Sequence, residues 1–315
     1  MSGSSFEELF SSGGQPLAPP VSRPFLESGT FVFPTDGVVI MRALGGGGSG
    51  AISGLGAPGT GGYSGGWGVV AVKVKAGDVA TVTVGAGGAN PGTTTSNGLA
   101  GGNTTIVLNG VTYMAPGGPG GVYVASGTPT VPDGPAPSSN WLIKASSVKP
   151  GAFAGKTGGA GVDILAKGGN ATTSAASNSS GGGGTGGPSV DIHGGGAITG
   201  GYSLTGERYS VSYSGSDDQW GIPLFGGSGG QGFAATTAGG KGGNGGGGGG
   251  SQDTSTGGAD GGDGGLGGGG GASYRKGGGN GGLGAGGGGG ASTAVTYSKG
   301  GNGYAYIRFY PYLQV

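Results

Sequence analysis

Glycine tracts broken at intervals of three constrain the fold of this chain more than any other feature of its sequence. Between residues 226 and 303, 40 of 78 positions are glycine. The interrupting residues stand three apart: Lys241 and Asn244, then Asp260, Asp263 and Leu266, then Asn280 and Leu283. Such a segment is either disordered or folded into a structure that only glycine can form.

The spacing matches a polyproline II-type helix, which has three residues per turn and rises about 3.1 Å per residue. The backbone N–H and C=O groups of this helix point outward, so neighbouring helices can pair them only where no side chain intervenes. Polyglycine can therefore pack as a bundle whose core is backbone. Because ordering glycine costs conformational entropy, only a cooperative stack of such helices would be stable.

Runs of similar length favour this ordered bundle over a flexible linker. They cover residues 239–250, 261–271 and 277–290, and as polyproline II-type helices they would extend roughly 34–43 Å. Short reversals separate or follow them at residues 251–260, 272–276 and 291–299. The pattern predicts an up-and-down bundle, with a flexible linker as the alternative.

The composition disfavours several functional classes. The 315 residues include no cysteine, and the 14 basic and 14 acidic residues cancel. There is no basic run for electrostatic binding to nucleic acid, and no apolar stretch approaches the roughly 20 residues of a membrane span. His193 is the only histidine, so acid–base catalysis has little to use. We expect no enzymatic activity and no cofactor. Asp217, Asp218, Asp260 and Asp263 are interpreted as solvated carboxylates rather than as calcium ligands, so no metal site is expected.

Strands are predicted within residues 28–114 and at residues 304–310, because β-branched and aromatic residues dominate those runs. Asn109-Gly110 is a strong hairpin signal, and residues 76–78 are predicted to close a second hairpin between the runs on either side. Since an isolated hairpin is only marginally stable, the strands should pack into one small sheet or sandwich.

Six short motifs follow one another between residues 28 and 310. They are Gly29-Thr-Phe-Val-Phe-Pro34, Leu44-Gly-Gly-Gly-Gly48, Gly61-Gly-Tyr-Ser-Gly-Gly66, Val82-Thr-Val-Gly-Ala-Gly-Gly88, Gly101-Gly-Asn-Thr-Thr105 and Gly300-Gly-Asn-Gly-Tyr-Ala-Tyr-Ile-Arg308. In this combination and order they resemble the glycine-rich domain family of bacteriophage tail fibres and tail-tip adhesins, the polyglycine II bundle type.

The resemblance implies an all-β fold combined with polyglycine II: a small β-sheet or sandwich base, a bundle of polyglycine II helices and almost no α-helix. We expect four parts: a virion-docking segment (1–27), which matches no motif of the family, a β-rich base with the first glycine motifs (28–122), glycine-poor inserts and loops (123–225), and a polyglycine II bundle (226–315) closed by the strand 304–310. The resemblance also implies a non-enzymatic virion protein of the tail tip or tail fibre.

In this family, variable loops at the tip of the bundle contact the host surface, so the resemblance implies a receptor-binding protein. If strand 304–310 returns to the base, alternation of the runs places residues 189–225, 251–260 and 291–298 at the tip, and residues 233–238 and 272–276 at the base. The candidate receptor-binding residues are the tip aromatics Tyr202, Tyr209, Tyr213, Trp220 and Tyr297. The same rings also suit a small core within the insert, and both interpretations stay open.

The expected partners are other tail or baseplate proteins at the N-terminus, with Phe6, Leu9 and Phe10 as docking candidates, and a bacterial surface receptor, either protein or glycan. A homotrimer is compatible with the sequence but not indicated by it. The main alternative is a purely structural baseplate or fibre component in which the glycine bundle is a rigid spacer. An ice-binding polyglycine protein is disfavoured, because the residues between glycines are Lys, Asn, Asp and Leu rather than regular threonines.

Overall fold

The computed structural model describes residues 18–54, 57–92, 95–150, 158–161, 238–242, 247–248, 250–251, 259–291 and 298–312. These residues contain no helix, and their regular structure is β throughout. The strands are β1 (Val21–Phe25), β2 (Gly29–Val32), β3 (Gly37–Leu44), β4 (Ile52–Ser53), β5 (Trp67–Val74), β6 (Val79–Thr83), β7 (Thr104–Leu108), β8 (Val111–Ala115), β9 (Ile143–Ala145), β10 (Gly290–Ala291) and β11 (Tyr304–Pro311). The all-β prediction is therefore confirmed for this part of the chain.

Two antiparallel sheets form a sandwich. One has the order β1-β11-β3-β5-β9 and the other β2-β6-β7-β8. Alternate side chains of both sheets meet in one core, where Phe33 and Phe309 lie edge to face with ring centroids 5.2 Å apart. Burying these apolar side chains from two inner faces is what holds the sheets together.

The predicted hairpin at Asn109-Gly110 is confirmed, since β7 and β8 pair across it and both turn residues have positive φ. The hairpin predicted at residues 76–78 is wrong, because β5 and β6 belong to different sheets. After β5 the chain crosses the sandwich instead, and β6 pairs with β2 and β7 in the other sheet. The crossing is held by the N–H of Gly77, which donates to the carbonyl of Phe33 at 2.8 Å.

The glycine segments begin where the strands end. Six strands have an end at the same edge of the sandwich, and each continues directly into a glycine-rich segment. The strands are β3, β5, β6, β7, β8 and β11, and the segments are 45–51, 59–66, 84–88, 98–103, 116–122 and 298–303. The C-terminal strand β11 returns to the sandwich beside β3, with Tyr304 opposite Leu44, which is the condition on which the placement of the tip loops depended. The glycine segments therefore extend the sandwich along the strand direction.

Backbone hydrogen bonds join the glycine segments laterally with a period of three. In segment 45–51, the N–H groups of Gly45, Gly48 and Ala51 donate to segment 59–66. The next residue in each triplet, Gly46 or Ser49, donates to segment 98–103, and Gly47 and Gly50 donate to segment 298–303. The carbonyls of the same segment accept from 84–88, 116–122 and 284–291. A segment in the middle is thus bonded on every side by backbone groups, and the hydroxyl of Ser49 also accepts the N–H of Leu99 at 2.7 Å.

The same bonding arranges the described segments in three layers. The first layer contains 239–242, 259–265, 277–282, 298–303 and 84–88; the second contains 247–251 (without 249), 268–273, 284–291, 45–51 and 98–103; the third contains 158–161, 59–66 and 116–122. Segments from both ends of the sequence alternate within the layers. Stretches on both sides of the predicted domain boundaries at residues 122 and 226 therefore belong to the same array. Strand β1 lies within residues 1–27, the segment predicted to dock to the virion.

The close approach of these segments explains the glycine content. A Cβ built on Gly286 would lie 1.9 Å from the carbonyl oxygen of Gly62, and one built on Gly50 would lie 2.0 Å from that of Gly288. Serine is tolerated where its hydroxyl substitutes for a backbone group: the hydroxyl of Ser298 accepts the N–H of Gly278 at 3.1 Å. Backbone pairing has here taken the place of side-chain packing.

The prediction that residues 261–271 and 277–290 each extend as one continuous helix is wrong, because each run folds back on itself. The N–H of Gly268 donates to Gly265 and that of Ala285 to Gly282, both at 2.9 Å. Gly267 and Gly284 stand at the third position of these turns with φ of 74° and 69°, as a type II turn requires. Leu266 and Leu283 occupy the second positions, and Leu266 packs against the side chains on the outer face of the five-stranded sheet.

These extra turns reverse the predicted placement of residues 272–276. The N–H of Ala291 donates to the carbonyl of Lys276 at 2.7 Å, and Ala291 pairs with Ser53, far from the sandwich. Residues 272–276 therefore lie at the opposite end from the predicted base. Gly239, next to the predicted base segment 233–238, also lies there, since its N–H donates to the carbonyl of Asp260.

Candidate functional site

The end of the glycine array farthest from the sandwich, called here the distal end, is the candidate site. It is marked by β4 and β10, which pair in parallel, and by the loop 272–276. Ser251 and Ser273 form a β-bridge beside them. Several chain reversals therefore lie side by side at the distal end, and backbone pairing between the glycine segments holds them in place.

Every predicted site residue lies outside the described residues. This holds for the receptor-binding candidates Tyr202, Tyr209, Tyr213, Trp220 and Tyr297 and for the docking candidates Phe6, Leu9 and Phe10. The structure does describe residues that directly adjoin two of these stretches in the sequence. Ala291 and Ser298, which flank residues 292–297, both lie at the distal end. Ala238, which follows the aromatic-rich stretch, adjoins Gly239 at the same end.

The loop 272–276 is held in place by its own backbone and by one serine. The hydroxyl of Ser273 donates to the carbonyl of Ala259 at 2.7 Å and accepts the N–H of Lys276 at 3.0 Å. The N–H of Ser273 donates to the carbonyl of Gly289, in the second layer, at 3.0 Å. This anchoring presents Tyr274, Arg275 and Lys276 as partly exposed side chains. The Arg275 guanidinium carbon lies 6.0 Å from the centroid of the Tyr274 ring, within cation–π range.

Sequence reasoning missed these three residues because it counted Leu266 and Leu283 as members of the three-residue repeat. The signal that identifies the turns is an apolar residue followed by glycine, since a type II turn needs glycine at its third position. With both turns included, the alternation of segments brings residues 272–276 to the distal end.

Asx side chains cap the outer face of the first layer, which no other described segment covers. The carboxylate of Asp263 accepts the N–H of Asn280 at 2.8 Å, and the side-chain oxygen of Asn280 accepts the N–H of Lys299 at 3.1 Å. Lys241 adds an ion pair with Asp263 at 3.6 Å. These polar residues therefore complete the backbone bonding, which accounts for their presence at every third position.

Asp260 caps the same face at the distal end, where its carboxylate accepts the N–H of Gly277 at 3.0 Å. Partial burial raises the pKa of Asp260 above its ordinary value, and the hydrogen bond from Gly277 and the charge of Lys276 oppose that rise. Asp260 and Asp263 are thus capping groups rather than freely solvated carboxylates. Within the described ranges, no group of three or more His, Cys, Asp or Glu side chains is placed to hold a metal ion.

The opposite end of the molecule carries the beginning of the described chain. The N–H of Ala18 donates to the carbonyl of Pro311 at 2.8 Å, and Pro311 pairs with Gly37 at the edge of the sandwich away from the glycine array. The described chain therefore enters at one end, while the loop 272–276 lies at the other.

Comparison with known proteins adds no relative: no protein-family model matches the chain, and no curated protein matches it. In the part of the chain that the structure describes, no helix is long and apolar enough to cross a membrane.

Proposed function

We propose that this chain is a bacteriophage tail-fibre or tail-tip receptor-binding protein, an adhesin without enzymatic activity that works as part of the virion. The observation that carries the proposal is the polarity of the molecule. The described chain begins beside Pro311 at one end, and the loop 272–276, with the residues flanking 292–297, lies at the other. Such a layout suits a protein that docks to a particle by one end and contacts a host surface by the other.

The scaffold between these ends is proposed to be a bundle of polyglycine II helices. Support comes from the period of three in the hydrogen-bond directions of segment 45–51, which is the symmetry of a helix with three residues per turn. It also comes from the absence of room for a Cβ between segments, as at Gly286. A scaffold whose core is backbone leaves its terminal loops free to vary without loss of a side-chain core.

In this proposal the receptor contacts include Tyr202, Tyr209, Tyr213, Trp220 and Tyr297, and the virion contacts include Phe6, Leu9 and Phe10. The support for the first group is indirect, from the distal position of Ala238, Ala291 and Ser298. Tyrosine and tryptophan supply large contact areas with few rotatable bonds, which favours them in recognition surfaces.

The test is adsorption to bacterial cells. Deletion of residues 203–220 in the full-length protein should abolish its binding to cells of the host and the adsorption of particles that carry it. Unfolding by denaturant should show that the sandwich and array are intact in this variant. If particles with the deletion adsorb normally, the adhesin proposal is wrong.

That negative result would favour the alternative, a structural baseplate or fibre component. The observation in favour of a spacer is that the described array is bonded through its own backbone, with segment 45–51 enclosed on every side. A rigid rod needs no receptor contact. Shortening the array would then impair particle assembly, whereas changes at the distal end would have no effect.

A further inference from the structure

The loop 272–276 combines an aromatic ring with two cations at the distal end. Tyr274, Arg275 and Lys276 are consecutive and partly exposed, and the hydroxyl of Ser273 fixes the loop on both sides. Because the backbone is anchored in the array, binding here loses little conformational freedom in the loop. Preorganised side chains of this kind bind with a smaller entropic cost than mobile ones.

Among the described residues around this loop, cations outnumber carboxylates. Lys299, one residue from Ser298, adds an exposed cation to the partly exposed Arg275 and Lys276. The nearest of the described carboxylates in the hydrogen-bond pattern is Asp260, which is partly buried and accepts the N–H of Gly277. Its capping role directs it into the array, so it offsets the cations of the loop only in part.

From this juxtaposition we propose that Tyr274, Arg275 and Lys276 bind an anionic glycan of the bacterial surface, a polysaccharide bearing carboxylate or phosphate groups. This proposal rests on the proposed adhesin function and specifies its ligand. A guanidinium group binds a carboxylate or phosphate through two parallel hydrogen bonds. The ammonium group of Lys276 adds a second charge, and the Tyr274 ring offers an apolar face of the size of a sugar ring.

The first experiment measures binding of the full-length protein to immobilised polygalacturonate, dextran sulfate and neutral dextran. We expect binding to the two anionic polymers, little binding to dextran, and weakening with added salt. The double variant Arg275→Ala/Lys276→Ala should bind the polyanions at least about tenfold more weakly, since two charge-assisted contacts are lost.

The matched control is Lys73→Ala/Lys75→Ala, which removes the same charge from exposed positions at the opposite end of the sandwich. It should leave polyanion binding unchanged. Equal loss in both double variants would mean that net charge alone governs binding, and no loss in either would mean that the loop does not bind; both results overturn the proposal. Tyr274→Ala should weaken binding while Tyr274→Phe retains it, and denaturant midpoints verify that each variant folds.

Cell binding separates this inference from the proposed function. If host cells bind the wild-type protein and the Arg275→Ala/Lys276→Ala variant equally, the glycan site is wrong while the adhesin proposal stands. If protease treatment of cells removes binding and periodate oxidation of their glycans does not, the receptor is a protein and the glycan site is again wrong. If the wild-type protein binds no cells of the host, the adhesin proposal itself fails.

Discussion

Glycine at positions such as 286 is required by distance rather than by flexibility. The N–H of Gly286 donates to Ala160 and its carbonyl accepts from Gly270, both at 3.0 Å. A methyl group there would lie 1.9 Å from the carbonyl oxygen of Gly62, so backbone would have to move. Since each segment is bonded to several others, a shift of one breaks hydrogen bonds in its neighbours as well.

Gly286→Ala should therefore lower the free energy of unfolding by about 3 kcal/mol or more, the cost of severe overpacking. Chemical denaturation of the purified protein measures this. Gly54→Ala is the control, because a Cβ at Gly54 meets nothing within 4 Å and its φ is not in the positive region. That variant should change the free energy by less than about 1 kcal/mol. Equal effects of the two substitutions would contradict a core built from backbone.

Asp260 links stability to pH. Its folded-state pKa is raised, chiefly by burial, so the folded protein holds this proton more tightly than the unfolded chain does. The contribution of Asp260 is then fully present below its ordinary pKa of 3.8 and is lost as pH rises through the folded value. Burial of the ionised carboxylate is thus slightly unfavourable at neutral pH.

Asp260→Asn keeps an oxygen that can accept the N–H of Gly277 and removes the titration. We expect this variant to be at least as stable as the wild-type protein at pH 7, with the difference in its favour shrinking as the pH falls toward 3.8. Denaturant midpoints of both proteins across this range give the result. A difference that grows on acidification would show that the sign is wrong.

At the scale of elements, the order of strands was largely predictable and their partners less so. Asn109-Gly110 identifies a hairpin because its turn type needs those residues, and the apolar run at 304–310 indicates a strand. The connection at residues 76–78 has the local signature of a hairpin as well. What local sequence does not contain is that β6 has its partners, β2 and β7, in the other sheet.

The turns at Leu266 and Leu283 illustrate the same limit in the glycine region. A repeat of three treats Leu, Asn and Asp as equivalent interruptions, although their physical roles differ. Leu266 packs on apolar side chains at the sandwich end, whereas Asp263 and Asn280 cap backbone N–H groups on an outer face. Side-chain chemistry therefore distinguishes turns from caps, and spacing alone does not. The aromatic candidates for receptor contact, from Tyr202 to Tyr297, stay predictions.

The glycine segments should behave in solution like the strands that they extend. The N–H groups of residues 45–51 are all hydrogen-bonded to other segments, although most of them belong to no strand. Amide hydrogen exchange should therefore be as slow for Gly46, Gly47 and Gly48 as for residues of β3, because exchange requires opening of the array. Spectra of selectively labelled glycine measure these rates, with Gly110, which is exposed in the turn between β7 and β8, as the reference. Fast exchange at Gly46–Gly48 would support the flexible-linker alternative instead.

For the whole molecule, the separation of two ends is the property on which the proposed function depends. The strands β3 and β11 run from one end to the edge where the array begins, and segments 45–51 and 298–303 continue to the distal end. Because successive described segments run in opposite directions along the molecule, the reversals among them collect at the two ends or at the junction between the sandwich and the array. A particle that holds the sandwich end therefore exposes the distal loops.

Site-specific thiol labelling tests this orientation on intact particles. The chain has no cysteine, so Ala238→Cys and Lys75→Cys each introduce a unique reactive group at an exposed position, one at the distal end and one at the sandwich end. Coupling a bulky maleimide polymer to Cys-bearing particles should block adsorption to host cells for Ala238→Cys, because the polymer covers the distal loops. The unlabelled Ala238→Cys particles and the labelled Lys75→Cys particles should adsorb. Blockage by the label at residue 75 with free adsorption at residue 238 would reverse the proposed orientation, and adsorption in both labelled cases would exclude the distal end as the contact surface.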